Sequence, residues 1–180
     1  MESVFVAGSR AVSQLNAQIR KRLDNIMERN LTILVGDASG ADKAVQRYLA
    51  KSGYSRVTVY CMESCRNNLG EWPVRFHECD PGLKRDRHYY GIKDIAMARD
   101  AECGFMLWDG MSKGTAANIV NLLNSNKKVV VYLSPQKQFL TLRTIEDFTH
   151  AAWGYKVGDT FSSRTTTKSH PPMTDHLPFE

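Results

Sequence analysis

Three short turns in this 180-residue chain carry the residue types that hold an anion. Gly8-Ser9-Arg10 follows an apolar run at residues 4–7, Gly36-Asp37-Ala38-Ser39-Gly40-Ala41-Asp42 follows one at 31–35, and Asp109-Gly110-Met111-Ser112-Lys113-Gly114-Thr115 follows one at 104–108. Glycine lets the backbone approach a ligand, the hydroxyls can donate, and an arginine pairs with a phosphate bidentately where a lysine acts as a compact charge. The same residues have structural uses. Ser39 and Asp42 fit an S-x-x-[DE] capping box, and Ser112 is placed to cap a helix through the N–H of Thr115. No turn matches G-x-x-x-x-G-K-[ST] or G-x-G-x-x-G, so neither a kinase-like P-loop nor the usual dinucleotide fingerprint is expected.

The elements around these turns alternate. Residues 4–7, 31–35, 57–61, 104–108 and 129–133 are short apolar runs, as buried parallel strands are. Between them, Leu15, Ile19, Leu23 and Ile26 recur at three- and four-residue intervals behind a candidate cap at Ser13, and helical patterns span 41–51, about 83–100 and about 115–123. This order predicts an α/β, Rossmann-like open parallel sheet of about five strands with helices on both faces. In such sheets ligands bind beyond the carboxyl ends of the strands, where helix N-termini offer unpaired N–H groups. Residues 62–81 lose periodicity and read as a long loop. Residues 1–135 are expected to form this domain and 136–180 a C-terminal extension, with a helix at 141–153 and a tail rich in Ser, Thr and Pro.

The stretches VFVAGSR, VGDASGADKAVQRYL and RDRHYYGIKDIAMARDAECGFMLWDGMSKGT, in that order, resemble the YspA-like branch of the SLOG superfamily of Rossmann-like domains. The resemblance covers about residues 3–133 and implies binding of nucleotides or nucleotide-derived ligands. The wider superfamily includes LOG enzymes, which hydrolyse the N-glycosidic bond of cytokinin nucleotides, and DprA, which binds single-stranded DNA. LOG-like enzymes carry Gly-Gly-x-Gly-Thr-x-x-Glu; here Gly114-Thr115 is followed by Ala116, Ala117 and Asn118, so an amide stands at the glutamate position. A carboxylate can stabilise positive charge developing on a sugar and an amide cannot. Hydrolysis would therefore need another carboxylate: Asp109, Asp37, Asp42 or Asp94.

Further candidates surround this set. Arg85, Arg87, His88 and Lys93 lie near the start of the 83–100 helix beside Tyr89 and Tyr90, and basic groups next to aromatics can clamp a phosphate and stack a base. Trp108 ends a strand at the expected site, so Trp108 or Tyr89 is expected to meet the base. Cys61, Cys65, His77 and Cys79 offer three thiolates and an imidazole, a sound zinc set whose spacing matches no common finger. Reduced thiols without metal, and no required cofactor, are the expectation for four scattered cysteines. No Ser-His-Asp arrangement or H-E-x-x-H motif is legible.

The totals bound the function. Net charge is +5, and residues 134–180 hold five basic and five acidic side chains, so the excess belongs to the first 133. It favours anionic partners, but basic and acidic residues interleave, which ranks a single-stranded nucleic-acid module below a small-molecule site. No apolar stretch is long enough for a membrane helix and MESVFVAGSR has no signal-peptide pattern, so the expected location is cytoplasmic. Apolar positions on the 83–100 helix are compatible with a homodimer. The expected function is binding of a nucleotide or nucleotide-derived molecule, as sensor or carrier, with N-glycosidic or phosphoribosyl hydrolysis as the alternative.

Overall fold

The computed structural model of the chain describes residues 2–80 and 82–151; the expected tail and the last residues of the expected 141–153 helix lie outside these. The described residues run β1 (Ser3–Gly8), α1 (Ala17–Glu28), β2 (Thr32–Gly36), α2 (Ala41–Lys51), β3 (Val57–Cys61), β4 (Val74–Phe76), α3 (Arg87–Asp100), β5 (Cys103–Trp108), α4 (Lys113–Asn124), β6 (Val129–Leu133), β7 (Gln138–Leu142) and α5 (Ile145–Ala151). They build an α/β fold around one sheet of order β4-β3-β2-β1-β5-β6-β7, parallel except for β7, which runs antiparallel to β6.

Alternation along β1 shows how one run of apolar residues serves two cores. Val4 and Val6 join a cluster with Ile19, Leu23 and Ile26 of α1 and Val45 and Leu49 of α2. Phe5 and Ala7 point the other way, into a cluster with Met97 of α3, Ile119 and Leu122 of α4 and Phe148 of α5. A strand covered on both faces has no polar side to show, so the sequence reads as an unbroken apolar run. Crossover helices on both sides leave one place where the chain winds in opposite directions: β1 pairs with β2 on one edge and with β5 on the other.

The five expected strands are β1, β2, β3, β5 and β6, and two edge strands add to them. β4 lies within the expected loop, where three residues pair in parallel with β3. β7 takes residues 138–142, part of which had been expected to be helix. Its period is two: Phe139 packs edge-on against Tyr132 and at a tilt against Phe105 on one face, while Leu140 and Leu142 join the cluster on the other. α5 correspondingly starts later than the expected helix, at Ile145.

Helix starts also differ. α1 is capped by Asn16, whose side chain accepts from the N–H of Ile19 at 2.9 Å, in place of Ser13. α3 begins at Arg87 because Asp86 accepts from the N–H groups of His88 and Tyr89. No capping box forms at Ser39: the cap of α2 is Gly40, at φ 82° and with no side-chain capping bond, and Asp42 turns back to accept from the N–H of Ala38 at 3.2 Å. Glycine is required there by its positive φ and because the backbone of Arg10 packs where a Cβ would project. Ser112 caps α4 as expected, with Thr115 N 3.5 Å from its hydroxyl.

Cys61 and Cys65 are joined in a disulfide, with Cα atoms 5.1 Å apart, which corrects the expectation of four reduced thiols. The chain leaves β3 at Cys61 and turns back within four residues, bringing the second thiol to the first. Cys79 and Cys103 are free. Among the described residues no helix is long and apolar enough to cross a membrane.

A candidate ligand site at the switch between β1 and β5

A cavity of about 1130 Å³ opens at the carboxyl edge of the sheet, where the ends of β1 and β5 diverge. Its floor begins with Ala7 and Gly8 of β1 and Asp109 after β5, and Ala38 after β2 extends it. Gly8 has no room for a side chain: a Cβ would collide with the carbonyl oxygen of Leu107 and lie 2.9 Å from the Cβ of Ala41. A side chain at position 8 would have to push aside Leu107 or Ala41.

Ser9 lies just beneath. It is 1% exposed, and its hydroxyl donates to Asp109 Oδ1 at 2.9 Å, accepts from the N–H of Asp109 at 3.1 Å and sits 3.3 Å from the Thr115 hydroxyl. The same Oδ1 accepts from the N–H groups of Met111 at 3.0 Å and Ser112 at 2.7 Å. Burial alone would raise the Asp109 pKa, but those N–H groups and the Ser9 hydroxyl hold it below the usual carboxylate range. Asp109 Oδ1 is thereby committed to shaping the turn that starts α4.

The turn delivers Ser112, Gly114 and Thr115 to the cavity wall, followed by Asn118 on the next turn of the helix. α3 forms the facing wall. Arg87 and His88 lie at its exposed start, Tyr90 follows, and Lys93 and Asp94 reach the floor. Arg10 and Arg85 complete a basic rim.

Below the rim lies a compact set of charges. Lys93 is 2% exposed, with its Nζ 2.8 Å from Asp94 Oδ1 and 3.7 Å from Asp37 Oδ1. Burial would lower its pKa, but Asp94, Asp42 and Asp37 together raise it, so this amine stays an ammonium. Asp37 is clamped by Arg66: Nη2 to Oδ1 at 2.6 Å, Nε to Oδ2 at 3.0 Å, and the Arg66 N–H to Oδ2 at 3.0 Å. Burial opposes ionisation of Asp37, and the Arg66 bonds with Lys93 outweigh it and hold its pKa low. The Arg66 guanidinium also lies 4.2 Å over the Tyr90 ring. Asp42 is the exception. Buried and beside two other carboxylates, with Lys93 only partly compensating, it is pushed up to about 7.

Of the residues singled out from sequence, Gly8, Arg10, Asp42, Arg87, Asp94, Asp109, Ser112, Gly114, Thr115 and Asn118 line this one cavity. Ser9, Asp37 and Gly36 lie behind its surface, Gly36 so close to the charges that a Cβ would meet Asp42 Oδ2 at 2.5 Å and Lys93 Nζ at 2.8 Å. Ser39, Gly40, Gly110 and Lys113 belong to the turns but not to the lining, and Ser39 and Lys113 are exposed. Trp108 is 2% exposed, packs on Phe148 and donates Nε1 to the carbonyl of Ser112, so it supports the turn from the core. Tyr89 is likewise buried, with its hydroxyl on Glu63, and Tyr90 is the tyrosine that faces the cavity.

The zinc set is not assembled. His77 stacks on Tyr60 and Cys79 Sγ lies 3.8 Å from Glu63 Oε1, whereas the donor atoms brought within 4.8 Å of one another are those of Asp37, Cys61 and Cys65. Two of these are the disulfide and the third is held by Arg66. Arg66 itself is the residue that sequence reasoning missed. It lies in an aperiodic segment with no motif around it, and only folding of that segment onto α2, through Gln46 bonding to the Asn67 carbonyl and the Leu69 N–H, sets it at the site.

Compared with known proteins, the chain matches no protein-family model and no curated protein.

Proposed function

We propose that this cavity binds a nucleotide or nucleotide-derived small molecule, with the protein acting as sensor or carrier. The observation that carries the reading is the position of the cavity, at the point where strand order reverses between β1 and β5 and at the start of α4. Such a crevice is where open α/β sheets take their ligands, and a helix start favours a negative group. A phosphate would sit against the backbone of Gly8–Arg10 and Gly114, with Arg10 and Arg87 supplying charge. Tyr90 would stack on the base. The resemblance to the YspA-like SLOG branch supports the same ligand class.

The test is a thermal-shift screen against mono- and dinucleotides, ADP-ribose and NAD, with chromatography of each responding sample. A ligand that binds only the folded state raises the melting temperature by mass action. Arg10→Ala and Gly114→Asp should remove that rise while leaving the ligand-free melting temperature near that of the parent. No rise with any of these compounds at millimolar concentration overturns the reading.

A second reading, hydrolysis of an N-glycosidic or phosphoribosyl bond, is favoured by Asp42. A carboxylate pushed up to about 7 can hold and release a proton at neutral pH, as a general acid must. Free base in the chromatogram would select hydrolysis, and intact ligand would select sensing or carriage.

A further inference from the structure

The disulfide stands one residue away from the cavity wall. Cys61 ends β3, is fully buried, pairs with Phe76 of β4 and accepts the His77 N–H on its carbonyl at 2.9 Å, so its backbone is fixed. Cys65 is half-buried and belongs to the segment without periodicity. Arg66 comes next. Its backbone N–H and its guanidinium both hold Asp37, and the guanidinium covers the ring of Tyr90, with Arg66 and Tyr90 lining the cavity. Inside the loop that the disulfide closes, Glu63 bonds Arg85 at 3.1 Å and the Tyr89 hydroxyl at 3.2 Å. The segment thus grips the turn before α2 on one side and the start of α3 on the other, and the sulfur bond fixes where it leaves the sheet.

A bridge across four residues constrains the unfolded chain least, so its main effect is local. Once the bond is broken the two sulfurs must part to van der Waals contact. Cys61 is held by β3 and β4, so Cys65 is the one that moves, and it carries Arg66 with it. One Asp37 oxygen lies within 4.8 Å of both sulfurs, and the clamp bonds of 2.6–3.0 Å do not survive such a shift. We propose that Cys61–Cys65 is a thiol–disulfide exchange site, opened by a dithiol reductant and closed by its cyclic disulfide, whose state sets whether Arg66 holds Asp37 at the cavity wall. A reductant thiolate attacks Sγ of Cys65, the accessible partner; the sulfur–sulfur bond breaks, and Cys61 leaves as a thiolate that takes a proton. The reductant's second thiol then attacks the reductant sulfur of the mixed disulfide and releases Cys65 as a thiol. Two electrons and two protons have passed to the protein, and the reductant departs as its cyclic disulfide. Linkage makes the coupling mutual: if the disulfide favours the clamp, the clamp favours the disulfide by the same factor.

The test equilibrates the full chain at pH 7 with graded ratios of dihydrolipoate to lipoate, quenches with acid, and reads Cys61 and Cys65 by alkylation and peptide mass, with circular dichroism following the fold. The parent is expected to open at these two cysteines while it stays folded. Arg66→Ala should open at a ratio at least about fivefold lower, the small end of a coupling between two sites. If Arg66→Ala does not fold, Asp37→Asn removes the other half of the clamp and carries the same expectation. Hydrogen exchange gives a second readout: reduction of the parent should speed exchange of the Arg66 N–H, which Asp37 protects. Opening only on unfolding, or both thiols free at every ratio, overturns the exchange site. A midpoint that is unchanged or higher in the variant overturns its coupling to the clamp, and so does an Arg66 N–H indifferent to reduction. None of these outcomes depends on which ligand the cavity takes.

Discussion

Asp42 carries a cost that pH can switch off. Its folded pKa of about 7 stands above the ordinary 3.8, so between those values the folded chain binds more protons at this site than the unfolded chain. Stability from this group is present below about 4 and is lost as pH rises toward 7. Asp37 runs the other way, because its lowered pKa contributes stability above the ordinary carboxylate range that is lost on acidification. Asp42→Asn removes only the first effect. Its stability relative to the parent should climb between pH 4.5 and 8, by a total on the order of 4 kcal/mol at most. Denaturant titrations of both proteins across that range check it, and a gap independent of pH would contradict the assignment. Two glycines make a second contrast. Gly8→Ala places a Cβ against Leu107 and Ala41 and should cost stability, by about 1–3 kcal/mol as overpacking does. At Gly114 a Cβ meets nothing within 4 Å, so alanine there should leave the melting temperature unchanged or slightly higher. At this scale the sequence showed the three turns because glycines, hydroxyls and carboxylates sit next to one another in the chain. It could not show that Asp109 Oδ1 is committed to its own turn, or that Arg66 holds Asp37, since both depend on bonds made across the fold.

Elements were legible in proportion to how fully they are buried. The five central strands are short, largely apolar runs with both faces covered, interrupted by Thr32 and Thr58, and their length and the turn residues around them set them apart from buried helices. Edge strands lack that signature. β4 has only three residues, with Phe76 exposed, and β7 shares its apolar residues between two faces, so its leucines can be mistaken for part of a helical stripe. Caps were misplaced for a related reason: Ser13 and Asn16 are both good cap residues, and the choice between them is made by tertiary contact. Asn16 gives its Nδ2 to the Tyr132 hydroxyl at 2.5 Å, tying the start of α1 to β6. Asn16→Ala should therefore cost about 1–2 kcal/mol, at the upper end of what a cap alone contributes. Tyr132→Phe in the same background should add less than it does in the parent, because the two side chains share one bond.

Across the whole molecule, the cysteines report how the sheet opens. Without reductant, two thiols should be titratable after unfolding and two should not, since Cys61 and Cys65 are joined. Both free thiols are pushed up, Cys79 by partial desolvation and Glu63 and Cys103 by burial, to about 12, so accessibility separates them: Cys79 is half-buried, whereas Cys103 lies in β5 at 5% exposure. Alkylation followed by mass measurement should thus modify Cys79 quickly and Cys103 only at the rate of global unfolding. Equal rates would mean that β5 opens locally. The bond from Ser9 to Asp109 has a larger consequence, for it spans 100 residues of chain and joins the first turn of the fold to the last turn of the cavity. No fragment ending before β5 can contain the site, and none beginning after β1 can either. A chain cut between β4 and α3 would hold its pocket only while its two pieces stayed docked, and a bound ligand, touching both, would act as the clasp that keeps them together.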